Sequence, residues 1–536
     1  MSSKAPRPPV NKWLVAISVT FGTLMGTIDA SIVNVATPHL MGAMSSTVQE
    51  ITWVTTGFVI ANVIVMPLTA FFGRFFGQKR VYMAALVLFV IGSGLCGLAR
   101  SLPALVGFRL IQGLGAGALQ PTEQAILRQT FPPKEQGMAM ALYGVAVVIG
   151  PAFGPTLGGY IVDNFSWEWI FYINLPVGAL ALFMVQRFVH EPEDIRLNNL
   201  AMAEKQRKNL DWQGIALLTV GVASLQYVLE EGNTNDWFDS KLITFMAFLA
   251  AVATAAFIIR ELTAEVPAVN ISLFKESVFT SGTLVGAVMF AMLLSLTFLL
   301  PVFMQSLLGF TAVQAGLALM PRSLVMMVTM PIIGRIYNRV SPRKTVAFGV
   351  LLFTWSAWLM SHYTLDTTSR DVVFVLAIQG VAFACLFIPL TTVALSRVPR
   401  HLLADATGLN SLLRQIGGSL GLAIFASLIP RITKAGTTAL VAHVTPDRWQ
   451  VTQRFTGLEH LFEAKGFDVA SARAAAGRVL GGVVAQQATV LTFERLFLLS
   501  GILFLLVLPL LIFLKSPDHV PNQAAAPKAE PVHVEL

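Results

Sequence analysis

The chain alternates between apolar blocks of about twenty residues and short polar connectors, the spacing that the thickness of a bilayer imposes. Fourteen blocks are predicted as spans, at 13–36, 51–72, 81–99, 102–127, 138–162, 168–188, 212–229, 242–259, 278–303, 311–334, 346–362, 372–396, 404–430 and 492–514. A chain in lipid must satisfy its backbone polar groups internally, so each block is read as an α-helix. The pattern changes only in 431–491, where the connector is long and mixed in character. Its middle, RWQVTQRFTGLEHLFEAKG (448–466), has apolar residues at helical spacing. The following stretch, 468–490, is Ala-rich and helix-prone. Two external helices are expected, either as a solvated cap or as a docking surface for another envelope protein.

Composition sharpens this picture. Hydrophobic residues make up 55% of the 536 and charged residues only 12%, against about 25% charged in soluble domains. The chain is therefore read as an all-α membrane protein with many spans. The N-terminal MSSKAPRPPVNK precedes a block too long for a cleavable signal, which is read as a true span. Cys96 and Cys385 both lie inside apolar blocks and suggest neither a disulfide nor a metal site. The net charge of +8 needs no nucleic acid to explain it. With the N-terminus cytoplasmic, most Lys and Arg fall on cytoplasmic connectors, and the short loops opposite hold only Arg100, Lys241 and Arg370. An even number of spans then places both termini in the cytoplasm.

The first six spans echo the last six. AFFGRFFGQKR (70–80) follows a helix containing Pro67, and GRIYNRVSPRK (334–344) follows one containing Pro331. Gln112-Gly113 before Pro121 matches Gln379-Gly380 before Pro389. This predicts two six-helix pseudo-repeats with two helices inserted between them. The expected divisions are a first half at 1–188, a linker with the extra helices at 189–276, a second half at 277–515 and a tail at 516–536.

Charges inside spans are costly and mark candidate chemistry. Asp29, Arg109, Glu123, Arg322 and Arg414 are such charges. A buried acid can carry a proton, because burial disfavours its charged form. Asp29 and Glu123 are therefore candidate proton carriers. The alternatives are a hydrogen-bonding anchor for Asp29, to neighbours such as Ser31 or Asn34, and a charge facing the head groups for Glu123. Arg109 has no counterpart in the repeat, where Leu376 holds its place. A fixed cation there can tune a nearby acid or serve as a structural partner. It lies about 21 Å along one helix from Glu123, too far to pair with it. Gln112, Asn34 and Arg414 are further intramembrane polar candidates; Arg414 can bond helix-end carbonyls, and Arg322 can snorkel. Gly150, Gly154 and Gly158, with Gly159, Pro151 and Pro155, put a smooth bent face on span five, suited to a rocking contact between halves or to static packing. Phe303, Met304 and Gln305 are candidate cavity residues, and Trp53, Trp167 and Trp169 candidate interfacial anchors.

These segments resemble the major facilitator superfamily. IGPAFGPTLGG (149–159) is similar to its antiporter motif, and RLIQGLGAG (109–117) to its fourth-helix motif. DASIVNVATP (29–38), WEWIFYINLPVG (167–178) and ATGLNSLLRQIGGSLG (406–421) resemble motifs of its fourteen-helix drug:proton antiporter branch. The long loop before the last span resembles the EmrB-like multidrug exporters of Gram-negative bacteria. The resemblance implies the major facilitator fold, a proton-transfer role for Arg109, and the bacterial inner membrane. It also implies work with a periplasmic membrane-fusion adaptor (EmrA-like) and an outer-membrane channel. Gly77, Lys79 and Arg80, with Gly334, Arg335 and Arg339 in the repeat, fit the gating loops. Arg74 departs from them: it stands where the family carries an acid, and Asn338 stands there in the repeat copy, so the usual charge relay is weakened or rewired.

The expected function is proton-coupled efflux of hydrophobic, drug-like compounds by alternating access, with no cofactor beyond the proton gradient. The charge balance favours neutral or anionic substrates, such as weak organic acids. No HExxH or nucleotide-binding loop occurs, so an enzyme is not expected. His190-Glu191 is followed by Pro192 and lacks a second histidine for a metal. A transporter-derived sensor or scaffold, an exporter of one organic acid, and an importer are the alternatives.

Overall fold

A computed structural model describes residues 11–191, 211–264 and 266–514. The expected 516–536 tail and part of the 189–276 linker lie outside them. The described residues hold no strand. The long helices are α1 (Lys12–Ala43), α2 (Trp53–Phe76), α3 (Gln78–Gly97), α4 (Leu102–Thr130), α5 (Gln136–Asn164), α6 (Asn174–Phe188), α7 (Trp212–Glu231) and α8 (Lys241–Thr263). They continue with α9 (Ser277–Ser306), α10 (Ala312–Ile336), α11 (Pro342–Met360), α12 (Ser369–Ala394), α13 (Leu403–Val441), α14 (Trp449–Ala464) and α15 (Val469–Leu505). Among the described residues, thirteen helices are long and apolar enough to cross a membrane. α11 falls short because Arg343 and Lys344 open it, yet it packs between α12 and α15 and completes the set of fourteen.

Local signals set many ends. Asn11 caps α1, and Thr311 and Thr368 form capping boxes with Gln314 and Asp371. Gly77 turns α2 into α3 with φ +86, a conformation that favours glycine.

Helices α1–α6 pack chiefly on one another, and so do α9–α13 with α15. The hairpin α7–α8 lies against α2 and α13. The repeat is visible in the packing. A Cβ at Gly113 would stand 2.5 Å from the Phe58 carbonyl of α2, and one at Gly380 would stand 2.6 Å from the Arg322 carbonyl of α10. Each Gln-Gly pair thus presses its helix onto the equivalent partner in its own half.

The external connector differs from expectation. Only α14 is a separate helix. The Ala-rich stretch is the first part of α15, continuous with the last span, and α13 runs on to Val441. At 39 and 37 residues, these helices are about 55–58 Å long, against a hydrocarbon core of about 30 Å. They therefore project together beyond the bilayer, joined by Thr433 and Thr492 at 3.0 Å. Helix continuity explains the difference: nothing in 468–490 breaks the 3.6-residue repeat before the apolar block begins. The projection marks the distal end of the bundle; the opposite, basal end holds Lys12, which pairs with Glu135 of the α4–α5 connector at 2.5 Å.

Candidate functional site

Asp29 of α1 sits 0% exposed at the centre of the first half. Its Oδ2 accepts from Arg109 Nη1 at 2.7 Å, and its Oδ1 accepts from Gln112 at 2.9 Å and Asn174 at 2.7 Å. Arg109 also donates to the Gln112 side chain at 2.8 Å and, through Nε, to the Val54 carbonyl at 3.2 Å. The Phe58 ring covers the guanidinium at 4.1 Å. Asn174 reaches Ser93 at 3.0 Å, and Ser93 donates to the Phe171 carbonyl at 2.8 Å. Five helices, α1 to α4 and the start of α6, thus converge on one carboxylate. Two of the expected proton-coupling residues form one ion pair. The anchor partners named from sequence do not take part: Asn34 is exposed, and Ser31 packs against Gly154. Neighbours in sequence point elsewhere on a helix, whereas Arg109 is brought in by α1–α4 packing.

A buried ion pair is stable only when its remaining lone pairs and protons are satisfied. Here both carboxylate oxygens are occupied by donors, so the pair meets that condition. Neutralising Asp29 would leave Arg109 without its counter-charge.

Glu123 is a different kind of acid. It is 0% exposed, so it does not face the head groups. Thr20 of α1 donates to its Oε1 at 3.0 Å, and its Oε2 has no partner. Thr20 precedes Asp29 by nine residues, about 14 Å along α1. The two acids therefore occupy two depths of the same α1–α4 seam.

In the second half, Arg414 of α13 is 3% exposed and bonds no helix-end carbonyl; its guanidinium nitrogens have no hydrogen-bond partner. Phe290 and Phe387 flank it at 5.5 and 5.4 Å. Arg322 does not snorkel: it is 3% exposed and donates to Thr297 at 2.7 Å. Phe303 and Met304 are packing residues, fully buried, with Phe303 against Tyr363, Phe493 and Phe497; Gln305 is exposed. Trp53 is partly exposed and stacks on Tyr227, and Trp169 is exposed beside Tyr172, whereas Trp167 is half-buried against Phe171.

The glycine run on α5 meets its own half. A Cβ at Gly150 would lie 2.4 Å from the Thr27 backbone, at Gly154 2.4 Å from Ser31, and at Gly158 3.2 Å from Ile32. Of the two readings of these glycines, static packing fits and a contact with the opposite half does not: they seat α5 on α1. Gly159 faces open space and Pro151 is exposed, whereas Pro155 and Thr156 face the other half: a Cβ built at Gly316 would lie 3.7 Å from Pro155, and Thr156 Oγ1 is 3.9 Å from Met320 Sδ.

The halves meet most closely at the basal end. Arg74 Nη1 contacts both oxygens of Asp405 at 2.8 and 2.9 Å, and its Nη2 donates to the Ala268 carbonyl at 2.9 Å. Arg400 donates to the Gln129 carbonyl at 2.9 Å, and Asn338 to that of Lys134. Gly137 and Gly334 face each other so tightly that a Cβ on either would lie within 2.8 Å of the other's carbonyl. The departure at Arg74 is thus rewired: the cation in the first half finds its acid in the second. Of the other loop residues, Lys79 donates to the Gln186 carbonyl at 2.7 Å, and Arg80 edges an apolar groove of about 510 Å³ with Phe72 and Phe76. Arg335 and Arg339 are exposed.

Sequence reasoning missed Asn174, Ser93 and Asp405. Asn174 lay inside WEWIFYINLPVG, and Asp405 immediately precedes ATGLNSLLRQIGGSLG. Ser93 carried no signal of its own. Among the described residues no cluster of His, Cys, Asp or Glu can hold a metal.

Comparison with known proteins bears on the family and the fold. The profile of the Major Facilitator Superfamily matches residues 19–422. The multidrug export protein EmrB of Haemophilus influenzae is 34% identical over 506 residues, covering 94% of this chain and 96% of its own. EmrB of Escherichia coli is 33% identical over 525 residues, covering 96% and 98%. The fatty acid resistance protein FarB of Neisseria gonorrhoeae is 33% identical over 508 residues, covering 94% and 96%. Among solved structures, the human organic anion transporter MFSD10 superposes with a TM-score of 0.60 at 16% identity, covering 93% of this chain and all of that one. The chain belongs to the major facilitator superfamily. It is a multi-pass membrane transporter, not an enzyme.

Proposed function

We propose that this member of the major facilitator superfamily exports hydrophobic compounds across the bacterial inner membrane in exchange for protons, with both termini cytoplasmic. The observation that carries the reading is the Asp29–Arg109 pair. A carboxylate held at 2.7 Å by a buried cation, with both oxygens occupied, is a two-state element. Protonation of Asp29 removes the counter-charge of Arg109 and frees α1 and α4 to shift. Glu123, with one oxygen unpartnered, is the proton station nearer the basal side. Relatives named for multidrug export and fatty acid resistance support export as the direction and hydrophobic molecules as the cargo.

On this reading the basal contacts close the transporter on the cytoplasmic side. Alternation requires Arg74 to leave Asp405 and the Gly137–Gly334 contact to open, while Gly150, Gly154 and Gly158 keep α5 fixed to α1. Each half then moves as a body. The distal projection is the docking surface for a periplasmic adaptor and, through it, an outer-membrane channel. Its support is the pair of helices that outrun the bilayer, together with α14, which has no buried residue.

The test is uptake of dyes and drugs into inverted membrane vesicles under an imposed proton gradient. Wild type should accumulate compound only with the gradient, and Asp29→Asn should lose that dependence at matched expression. Gradient-independent movement in wild type, or full activity in Asp29→Asn, would overturn the reading.

A further inference from the structure

Arg414 differs from the other buried arginines of the polar networks. Arg109 and Arg74 have carboxylates, whereas Arg414 has none within salt-bridge distance, and Nε, Nη1 and Nη2 all lack a hydrogen-bond partner. One turn earlier on the same face of α13, Asn410 is 0% exposed, and both polar atoms of its amide are unpartnered. Such groups are costly to bury alone, and together they offer a donor set that a planar anion satisfies.

The surroundings fix this donor set in place. Phe290 of α9 and Phe387 of α12 flank the guanidinium. Tyr143 of α5 stacks on Phe387 at 5.8 Å and accepts from Gln124 of α4 at 2.9 Å. Gln124 also reaches Ser411, next to Asn410, at 3.4 Å. Gly286 lets the Arg414 side chain pack closely on α9, since a Cβ there would lie 3.3 Å from Nε. The walls thus come from both halves, α4 and α5 on one side and α9, α12 and α13 on the other. A ligand held here senses their separation.

We propose that Arg414 and Asn410 bind the anionic head group of an amphipathic substrate, a carboxylate or phenolate, while the surrounding aromatic rings take its apolar body. The proposal rests on the export reading and names the substrate class of that transporter. Arg322 supports the path outward. It meets Thr297, two turns beyond Phe290 on α9 and about 10 Å distal, and its Nε and Nη1 are also unpartnered.

The experiment uses the purified full chain in detergent and tritiated decanoate in a scintillation proximity assay. Decanol and decyltrimethylammonium serve as competitors. Wild type should bind decanoate, and neither the alcohol nor the cation should compete at equal concentration. Arg414→Gln should lose binding at least tenfold, Asn410→Ala severalfold, and Arg414→Lys, which keeps the charge but not the fork, should be intermediate. A thermal melt of each variant confirms that it is folded; if Arg414→Gln is not, the Lys variant carries the test. Unchanged decanoate binding in folded Arg414 variants, or equal competition by decyltrimethylammonium, would overturn the proposal. Gradient-driven movement of a neutral compound by the wild-type chain in vesicles separates failure of this site from failure of the export reading. Its presence alongside decanoate binding lost in the folded Arg414 variants supports the site, and its presence alongside unchanged binding refutes the site alone.

Discussion

Arg74, at the end of α2, grips both carboxylate oxygens of Asp405, at the start of α13, at 2.8 and 2.9 Å. The pair is 9% and 1% exposed and joins the two halves at the basal end. Removing one partner of a buried pair costs about 3–5 kcal/mol, here charged to the basally closed state. Arg74→Ala and Asp405→Ala are each expected to shift the conformational balance toward basal opening by two orders of magnitude or more. The exchange Arg74→Asp with Asp405→Arg is expected to recover part of it. Labelling of a cysteine introduced at Ala404, which is buried against Ala70 and Ala125 of the first half, reads the balance from the cytoplasmic side.

Glycines on α5 divide by partner. Gly150→Ala drives a methyl into the Thr27 backbone within the first half. It is expected to lower the thermal midpoint and the yield. Gly137→Ala meets the Gly334 carbonyl of the other half instead, so it is expected to slow transport with a smaller loss of stability. Gly159→Ala meets nothing within 4 Å and is expected to be silent in both assays.

Lysine is not expected to replace Arg109. Its single ammonium cannot reach Asp29, Gln112 and the Val54 carbonyl at once, as the guanidinium does. Arg109→Lys should therefore transport at a small fraction of the wild-type rate even where it folds, as measured in the vesicle assay against equal protein by immunoblot. Wild-type rates in this variant would mean that the charge alone matters.

Outside the membrane, pH acts on the start of α15. Asp468 caps it, accepting from the backbone N–H groups of Ala470 and Ser471 at 3.1 and 3.2 Å. Hydrogen bonding from Ser471 holds the Asp468 carboxyl below the usual range. A depressed folded-state pKa means the stabilisation is present above the unfolded value and lost as pH falls through the folded one. Amide exchange at 469–473 is therefore expected to quicken, relative to the rest of α15, below the ordinary carboxylate range. Asp468→Ala should show that faster exchange at neutral pH.

Much of this was legible because lipid simplifies the physics. Block length gave the helices, and paired Gln-Gly and Pro positions gave the repeat, since equivalent close approaches need equivalent small residues. Asp29 and Arg109 stood out because charge in an apolar block is costly. Their pairing was not legible, because it depends on how α1 crosses α4. The same reason hid Asp405, which only the meeting of α2 with α13 makes a partner for Arg74. Helical spacing showed that Gly150, Gly154 and Gly158 share a face but not which neighbour that face meets. The boundary at 468–490 failed because a solvated helix and a membrane helix share one period, and only hydropathy changes along α15.

The central claim is that substrate and proton exchange through Asp29, with Glu123 as a second station. Proton release on substrate addition tests it most directly. Purified protein in weakly buffered detergent, with a pH indicator, receives an exported compound found in the vesicle assay. Wild type should release protons in proportion to bound compound, Asp29→Asn should release few or none, and Glu123→Gln should release fewer than wild type. Equal release from wild type and an Asp29→Asn, Glu123→Gln double variant, at equal compound bound, would contradict the account.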